Sequence, residues 1–337
     1  MDCLLELPHM RELTLDDREV VEAALAREPP DTSELTFTNL FIWRHAYGLR
    51  LSRVEGALCI FAWRADPEES FLLPPLMVER MSFRGSAATE ESPVGVAREV
   101  GDSSPELGMT PSGAPTIVER ALAHLRDHGH DPKLARVSTA QLERLGVTGE
   151  RFSVEPDRDN WDYVYSVRDL VELAGDKYHR KRNHIAQFQA EHTQWEYRPL
   201  TPDLAPACEE LQDLWCDEKH CDLSATLHAE SRAVKEALHN LDRLSALGGC
   251  ILVGGKVEAF TLGEPLNADT VTIHIEKANA AFHGLYQVIN QQFLEHQGHD
   301  FAYVNRQQDL GVQGLRKAKE SYHPHHMIEK YVVRLRA

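Results

Sequence analysis

Apolar residues follow two different spacings along this chain, and the spacings predict its elements. Alternation with a period of two is typical of a half-buried strand, and a period of three to four is typical of a helix. Residues 49–54 and 57–63 alternate around Glu55 and Gly56, which predicts a β-hairpin. A second hairpin is predicted from residues 249–253 and 257–263. The chain is therefore expected to mix strands with helices.

Two helices are predicted before the first hairpin. Residues 11–27 form an amphipathic pattern that Thr14 or Asp16 can cap and that prolines 29 and 30 end. Residues 35–47 carry aromatic side chains at roughly helical spacing. Such a stripe predicts core packing, and the alternative is that Trp43 and Arg44 line a ligand groove.

The order of elements suggests two copies of one α/β unit. Leu13-Thr-Leu-Asp16 and Leu200-Thr-Pro-Asp203 each precede an amphipathic helix and, later, a hairpin. The second half reads as strand, helix, helix, hairpin, strand, helix, strand, helix, strand. That is the order of the N-acetyltransferase-like (GNAT) fold, an α+β architecture with a mostly antiparallel sheet flanked by helices. We therefore predict two tandem GNAT-like domains.

The domain boundaries follow from length and local composition. A chain of 337 residues is long for one core, so two domains are expected. We place the first at 1–165 and the second, with the active cleft, at 166–337. Residues 79–115 are rich in Ser, Gly, Pro, Thr and Glu, which predicts a mobile insertion in the first domain.

Charge and cysteine content narrow the class of protein. The net charge of −17 argues against general nucleic-acid binding, but it permits a local basic site. No apolar run approaches the about 20 residues that span a bilayer, and no basic leader precedes the first apolar residues, so we expect a cytoplasmic protein. The six cysteines are scattered, which disfavours a disulfide framework and predicts that Cys208 and Cys216 are packing residues.

Two basic segments are candidates for binding an anion. A short apolar strand at 301–304 turns polar at Asn305, passes Gly311 and Gly314, and enters a helix. The cations of that helix are Arg316, Lys317 and Lys319. The earlier segment carries Lys177, Arg180, Lys181 and Arg182. Both patterns are typical of an anion-binding site, and the alternative is a solvated helix face.

Two other kinds of site are disfavoured. Neither the cluster Cys216, His220, Cys221 nor the histidines 323, 325 and 326 have the paired short spacings of a zinc site, so no metal is predicted. A GNAT enzyme that uses acetyl-CoA has a glycine-rich turn after its fourth strand, and here only Gly284 fits that pattern. The missing glycines disfavour a CoA donor. Anion binding is then expected from the two basic segments, which should face one cleft.

Candidate catalytic groups lie at the ends of predicted strands. His274 and Glu276 alternate on the strand 270–276, and Asn305 and Asp309 follow the strand 301–304. A carboxylate in such a cleft could orient or deprotonate an amine or hydroxyl acceptor. The alternative is that Glu276 with Lys277, and Asp309 with Arg316, are structural ion pairs.

Five stretches resemble the bacterial family of phosphatidylglycerol lysyltransferase C-terminal domains. They are residues 177–188, 213–216, 259–264, 274–279 and 305–322, the last beginning Asn305-Arg-Gln-Gln-Asp-Leu-Gly311. Gln307 stands where the family pattern has a glutamate. The resemblance implies two tandem GNAT-like domains similar to the Fem peptidyltransferases, with an aminoacyl-tRNA as donor and an amino group or lipid hydroxyl as acceptor.

The resemblance and the residues together predict an aminoacyl- or acyltransferase. Glu276, Asp309, Asn305 and His274 are the candidate catalytic residues, and the cations of the two basic segments are expected to hold phosphate of tRNA or lipid. No tightly bound cofactor is expected, and acetyl-CoA is the less favoured donor. Expected partners are tRNA and a phospholipid or small amine. The alternatives are a CoA-dependent N-acyltransferase and a non-enzymatic module that binds a lipid headgroup or a partner protein.

Overall fold

The computed structural model describes residues 4–78 and 113–336. The predicted insertion at 79–115 therefore lies mostly outside the described residues. The first half contains the elements β1 Arg11–Glu12, α1 Arg18–Arg27, α2 Phe37–Tyr47, β2 Leu49–Val54, β3 Ala57–Ala62, β4 Phe71–Leu72, β5 Leu76–Met77, α3 Ala114–Asp127, β6 Lys133–Ser138, α4 Thr139–Leu145, β7 Phe152–Pro156 and β8 Asp162–Ser166.

The second half repeats this mixture of strands and helices. Its elements are α5 Val167–Glu172, α6 His179–Glu191, β9 Trp195–Pro199, α7 Ala205–Lys219, α8 Ala225–His239, β10 Leu247–Val253, β11 Lys256–Pro265, β12 Thr270–Ala278, α9 Leu285–Gln297, β13 Tyr303–Asn305, α10 Gln313–Glu320, β14 His326–Ile328 and β15 Lys330–Leu335. Among the described residues, no helix is long and apolar enough to cross a bilayer.

The strands form two sheets, as two copies of one α/β unit require. The first sheet has the order β1-β2-β3-β4-β6-β15-β7, with β5 beside β3. The second has the order β14-β8-β13-β12-β11-β10-β9. Most neighbouring strands are antiparallel, and the predicted hairpins are β2–β3 and β10–β11. The α+β class and the mostly antiparallel sheets are thus confirmed.

Each half contributes its last strand to the sheet of the other half. β8 lies between β14 and β13 in the second sheet, and β15 lies between β6 and β7 in the first. The predicted division between 165 and 166 does not coincide with the sheets, because it assigned β8 to the first unit and β15 to the second. Periodicity identifies a strand but not its neighbours, so this exchange could not be read from the pattern.

The core joins the two units. One continuous apolar cluster contains Phe37 and Phe41 of α2 together with Phe260 and Leu262 of β11. Helix α2 also contacts α8, where Arg44 forms an ion pair of 2.8 Å with Glu236. Burial of apolar surface across this boundary stabilises the two sheets as one body.

Two local predictions were wrong. Residues 11–27 do not form one helix: Arg11–Glu12 is a strand, Leu15–Asp17 is a 3₁₀ turn, and the α-helix begins at Arg18. Cys216 is not a free packing residue, because it forms a disulfide with Cys221, five positions away. The chain turns back after α7 and brings the two Cα atoms to 5.0 Å, a separation that a disulfide can span.

Candidate active cleft

The cleft begins where two neighbouring strands of the second sheet separate. β12 and β13 run parallel, and their pairing ends at Thr272 opposite Asn305. Two residues later His274 is the extra residue of a β-bulge, since the register with β11 shifts between Leu262 and Gly263. A bulge bends the strand that carries it. In the part of the chain that the structure describes, β12 has no ladder partner on its β13 side beyond this point.

Side chains that follow β13 bridge this gap. Arg306 Nη2 donates to Glu276 Oε1 at 2.9 Å, and Gln307 Nε2 lies 3.0 Å from His274 Nδ1. The other ring nitrogen of His274 lies 2.8 Å from Glu264 Oε1. His274 and Glu276, which alternate on β12, thus have different partners.

Three cations lie close together in this cleft, two of them at the ring of Tyr322 and the third at the main chain of Arg306. Lys181 Nζ donates to Ser321 Oγ at 2.7 Å and lies 3.7 Å from the centre of the Tyr322 ring. The guanidinium of Arg306 lies 4.8 Å from the same ring centre. Lys319 donates to the main-chain carbonyl of Arg306. We call Lys181, Arg306 and Lys319 the cation cluster; in it a residue of the earlier basic segment meets one of the later segment.

The cluster holds more positive charge than its surroundings balance. Burial, followed by repulsion from Arg306, lowers the pKa of Lys319 to about 7. Burial, followed by repulsion from Arg306 and Arg180, lowers the pKa of Lys181 to about 8. Burial opposes the charge of Arg306, but the Glu276 carboxylate together with Tyr322 and Tyr165 outweighs it and raises the pKa of the guanidinium. The two lysines are therefore poised to gain a proton when an anion arrives.

One donor of the cluster has no partner. Arg306 Nη1 is buried and makes no hydrogen bond in the described structure. Glu276 is the one carboxylate among the described residues that forms an ion pair with the cluster. A buried charged donor without a partner is costly, and a ligand with anionic oxygens would satisfy it.

Asp309 and Arg316, predicted to be catalytic and phosphate-binding, pair with each other and with further buried or charged groups. Asp309 is fully buried and accepts hydrogen bonds from Tyr163 at 2.6 Å, Arg158 at 3.1 Å and Arg316 at 2.8 Å. Burial alone would raise the pKa of Asp309, but these bonds lower it, so the carboxylate stays ionised and fully engaged. Arg316 also pairs with Asp159 at 2.7 Å, which leaves its guanidinium committed to two carboxylates.

Asn305 belongs to a second buried polar group, at the point where the exchanged strands begin. Lys330 of β15 lies 2.7 Å from Asp162 of β8 and 2.6 Å from Glu34. Asp162 also accepts from Asn305 Nδ2 at 3.0 Å and from the main chain of Ser33 at 2.8 Å. We call Lys330, Asp162, Glu34, Asn305 and Ser33 the exchange-point network. In this network the predicted catalytic residue Asn305 donates to a buried carboxylate.

The other predicted cations lie outside the cluster. Lys177 forms a surface ion pair of 3.1 Å with Asp169. Arg182 donates to main-chain carbonyls just after α5, which satisfies the end of that helix. Arg180 and Lys317 are exposed. Of the seven predicted phosphate-binding cations, the structure places Lys181 and Lys319 in the cluster.

Close packing against helix α6 accounts for the glycine at position 284. It precedes α9 with φ of +88°, and a Cβ there would collide with the main-chain carbonyl of His184 in α6. Helix α6 therefore covers the turn that would carry the phosphate-binding glycines in a CoA-dependent GNAT enzyme.

A pocket lies beside the cleft, between the two units. It has a volume of about 150 Å³ and is bordered by Trp43, Tyr47, Phe71, Leu73 and Gln307. We call it the interface pocket. Trp43 lines it, as the groove alternative expected, whereas Arg44 is held by Glu236.

Sequence reasoning missed part of the cleft. Arg306 and Tyr322 lie in the quoted segment 305–322, yet neither was assigned a role. An arginine directly after an apolar strand, followed by the pattern Lys319-Glu-Ser-Tyr322, is the signal that could have marked them. Within the described ranges no group of three or more His, Cys, Asp or Glu is arranged to hold a metal ion.

A family model confirms the resemblance. The model described as phosphatidylglycerol lysyltransferase, C-terminal, matches residues 94–334. No curated protein matches the chain.

Solved structures agree with this match. A conserved protein of unknown function from Bacteroides thetaiotaomicron is 30% identical, with a TM-score of 0.79 over 97% of this chain and 99% of that one. L-PGS from Bacillus licheniformis is 12% identical, with a TM-score of 0.58 over 96% and 93%. FemX is 8% identical, with a TM-score of 0.52 over 96% of each chain. The last two likenesses concern the fold.

Proposed function

The chain belongs to the phosphatidylglycerol lysyltransferase C-terminal family, and on this premise we propose that it is an aminoacyltransferase. It would take an aminoacyl group from an aminoacyl-tRNA and pass it to the amine or hydroxyl of an acceptor. The observation that carries the proposal is the cation cluster. Three cations lie close together there, Arg306 alone of them pairs with a carboxylate, and a second, buried donor of Arg306 has no hydrogen-bond partner in the described structure.

The covered turn before α9 supports a donor other than CoA. Main-chain N–H groups at such a turn would bind the pyrophosphate of CoA at a helix N-terminus. Here the carbonyl of His184 lies against Gly284, so α6 occupies the approach. The cation cluster lies at the opened strands instead and suits a phosphate or carboxylate oxygen of a larger donor or of an anionic acceptor.

The proposed reaction is direct transfer within a ternary complex. The acceptor nitrogen or oxygen attacks the ester carbonyl, a new C–N or C–O bond forms, and the ester bond to the terminal ribose breaks. The acceptor's proton goes to the departing ribose oxygen. Lys319, with a pKa of about 7, suits a group that relays this proton at neutral pH, and Arg306 would stabilise negative charge as it develops.

The acceptor is proposed to be a phospholipid or a small amine. A phospholipid headgroup would bring its own phosphate to the cluster, whereas a small amine would leave the cluster to the phosphates of the tRNA. Phosphate contact by so few cations is compatible with the net charge of −17, because the attraction is local.

A transfer assay tests the proposal. Purified protein is incubated with tRNA charged with radiolabelled amino acids, and with either anionic phospholipid vesicles or a panel of amines. We expect label in the acceptor fraction and a loss of roughly 100-fold in Lys319→Ala, the usual effect of removing one electrostatic catalytic group. Lys317→Ala is the matched control, since it removes an exposed cation of the same helix. Equal rates in the two variants, or no transfer from any charged tRNA, would reject the proposal.

A binding measurement with acetyl-CoA tests the alternative donor. Titration of the protein with acetyl-CoA is expected to show no saturable binding in the micromolar range. Saturable binding together with acetyl transfer to an amine would replace the proposal with a CoA-dependent N-acyltransferase.

A further inference from the structure

We propose that the interface pocket receives the side chain of the transferred aminoacyl group and selects an apolar one of phenylalanine or leucine size. The inference rests on the proposed function and names the substrate class of that same site. It concerns the pocket between α2 and the loop that follows β13, which the cation cluster does not occupy.

The walls of the pocket are mainly apolar and come from both units. Three of them lie on one face of α2: Leu40, Trp43 and Tyr47. Phe71 and Leu73 face them from the first sheet. Leu310 closes the pocket from the second unit. Aromatic and aliphatic walls of this kind favour an apolar side chain, because burial of apolar surface is favourable. They cannot replace the hydrogen bonds that a polar side chain makes with water.

The size of the pocket fits one side chain. Its volume is about 150 Å³. Pockets that enclose a whole drug-sized ligand are larger, at roughly 300–1,000 Å³. A protein cavity of roughly 150 Å³ with apolar walls holds a benzene ring. The interface pocket is therefore suited to the ring of phenylalanine or the branched end of leucine, and not to a complete substrate.

The charged groups on the pocket wall are already neutralised. Glu34 binds Lys330 at 2.6 Å through one carboxylate oxygen and Gln308 Nε2 at 2.6 Å through the other. Arg136 pairs with Asp157 at 3.0 Å. Among the described lining residues, Glu34 is the one carboxylate, and it is not free to receive the ammonium group of a lysyl side chain. A lysyl group would enter without a partner for its charge, which is unfavourable.

Backbone strain is concentrated at this pocket. Seven described non-glycine residues have a positive φ, and three of them line the pocket. They are Arg136 with φ of +63°, Gln307 with +59° and Leu310 with +53°. Such conformations persist where the surrounding structure enforces them, and they gather at ligand sites. Two segments distant in sequence, β6 and the loop after β13, are thus held in costly conformations around one small space.

The pocket adjoins the cation cluster through consecutive residues. Gln307 lines the pocket and binds His274, while Arg306 belongs to the cluster. An aminoacyl group could place its side chain in the pocket while a phosphate of the donor or acceptor contacts the cluster. The ester carbonyl would then lie between them, next to the opened edge of β12.

A substitution at the mouth of the pocket tests the inference without disturbing the core. Thr226 borders the pocket and is exposed at the start of α8, so Thr226→Trp is expected to block entry in a folded protein. Ala225→Trp is the matched control, because Ala225 is exposed, precedes Thr226 and does not border the pocket. Calorimetric titration with phenylalanine amide, leucine amide and lysine amide measures binding, since each amide carries a neutral carbonyl like the ester.

We expect phenylalanine or leucine amide to bind roughly tenfold or more tightly than lysine amide, because the ammonium group has no partner. Thr226→Trp should weaken that binding by roughly tenfold or more, and Ala225→Trp should leave it unchanged. Lysine amide that binds as tightly as phenylalanine amide overturns the inference, and so does unchanged binding in Thr226→Trp. If a short-chain phospholipid binds in a Thr226→Trp-sensitive manner and the amides do not bind, the pocket holds a lipid chain and the inference is wrong.

The binding measurements separate this inference from the proposed function. Selective amide binding that Thr226→Trp abolishes supports the pocket assignment, and transfer from charged tRNA supports the reaction. Transfer of lysine as readily as phenylalanine would preserve the reaction and reject the selectivity. Selective binding without any transfer would preserve the selectivity and reject the reaction.

Discussion

The exchange-point network and the cation cluster contain consecutive residues, Asn305 and Arg306. Buried charge is balanced by opposite charge in the network, whereas positive charge exceeds negative charge in the cluster. In the network, Lys330 contacts the carboxylates of Asp162 and Glu34, and the remaining acceptor sites of Asp162 are filled by neutral donors. In the cluster, three cations lie close together, and the one ion pair that the described structure gives them joins Arg306 to Glu276.

This difference separates charges that hold the fold from charges that await a ligand. A paired, fully hydrogen-bonded buried ion group is costly to break because removal of one partner leaves the other unpaired. In a cluster with surplus positive charge, the free protein already contains buried charge that is not fully paired. Binding of an anion supplies the missing opposite charge. Removing a cation should therefore harm stability in the network and function in the cluster.

The largest effect is expected from Lys330→Met. This change leaves Asp162 and Glu34 buried without their cation, so the free energy of unfolding should fall by about 3–5 kcal/mol. Urea denaturation at neutral pH measures it. Lys317→Met, an exposed lysine of α10, should change stability by no more than about 0.5 kcal/mol. Equal midpoints for the two variants would show that the network does not stabilise the strand exchange.

A smaller loss is expected from Gly284→Ala, which tests whether the turn before α9 serves packing. The new methyl group meets both an unfavourable φ of +88° and the carbonyl of His184, so stability should fall by about 2–4 kcal/mol. Gly255→Ala is the matched control: its φ is +83°, but a Cβ there meets no atom within 4 Å. The control should lose about 1–2 kcal/mol.

The same pair of variants locates the anion site. If anions bind at the cation cluster, inorganic pyrophosphate should bind Gly284→Ala as tightly as wild type at a temperature where both are folded. Selective loss of pyrophosphate binding in Gly284→Ala would instead assign the anion to the turn before α9.

The last expected effect is on the pH dependence of stability. The fold lowers the pKa of Lys319 from 10.5 to about 7, so the unfolded chain binds more protons between these two values. Stability must then rise with pH across that window, and the Lys319 charge opposes folding most fully at and below pH 7. The stability of Lys319→Met relative to wild type should therefore be greatest near pH 7 and should decline toward pH 10.5.

Denaturation midpoints of Lys319→Met and wild type, measured from pH 7 to pH 10.5, show whether the stability difference falls with pH as expected. The difference between Lys317→Met and wild type should be flat over the same range. A Lys319→Met difference that is flat or that grows with pH would mean that Lys319 is not held among surplus cations.

The sequence pattern predicted elements more reliably than partners. The hairpin of β2 and β3 and the hairpin of β10 and β11 lie where the spacing placed them, because side-chain periodicity reflects local geometry. The strand β15 was also predicted, but not its place in the first sheet. Strand pairing depends on contacts between residues far apart in the chain, and periodicity carries no information about them.

For the candidate site residues, too, the sequence indicated the type of residue but not its partners. The sequence assigned Asp309 to the candidate catalytic groups at strand ends and Lys319 to the cations of the later basic segment. Only their neighbours decided the roles: Tyr163, Arg158 and Arg316 engage Asp309, while Lys319 lies beside another buried cation. Charge alone does not reveal whether a partner is present.

By itself the sequence determined an α+β protein with two related units, two basic segments and a family resemblance, because these are properties of composition, spacing and local pattern. The tertiary structure decided that β8 and β15 change sheets, that Lys181 and Lys319 both lie near Arg306, and that a small apolar pocket lies beside them. The physical reason is distance along the chain. Burial and pairing of a charge depend on which remote segments pack against it, and only the folded chain brings those segments together.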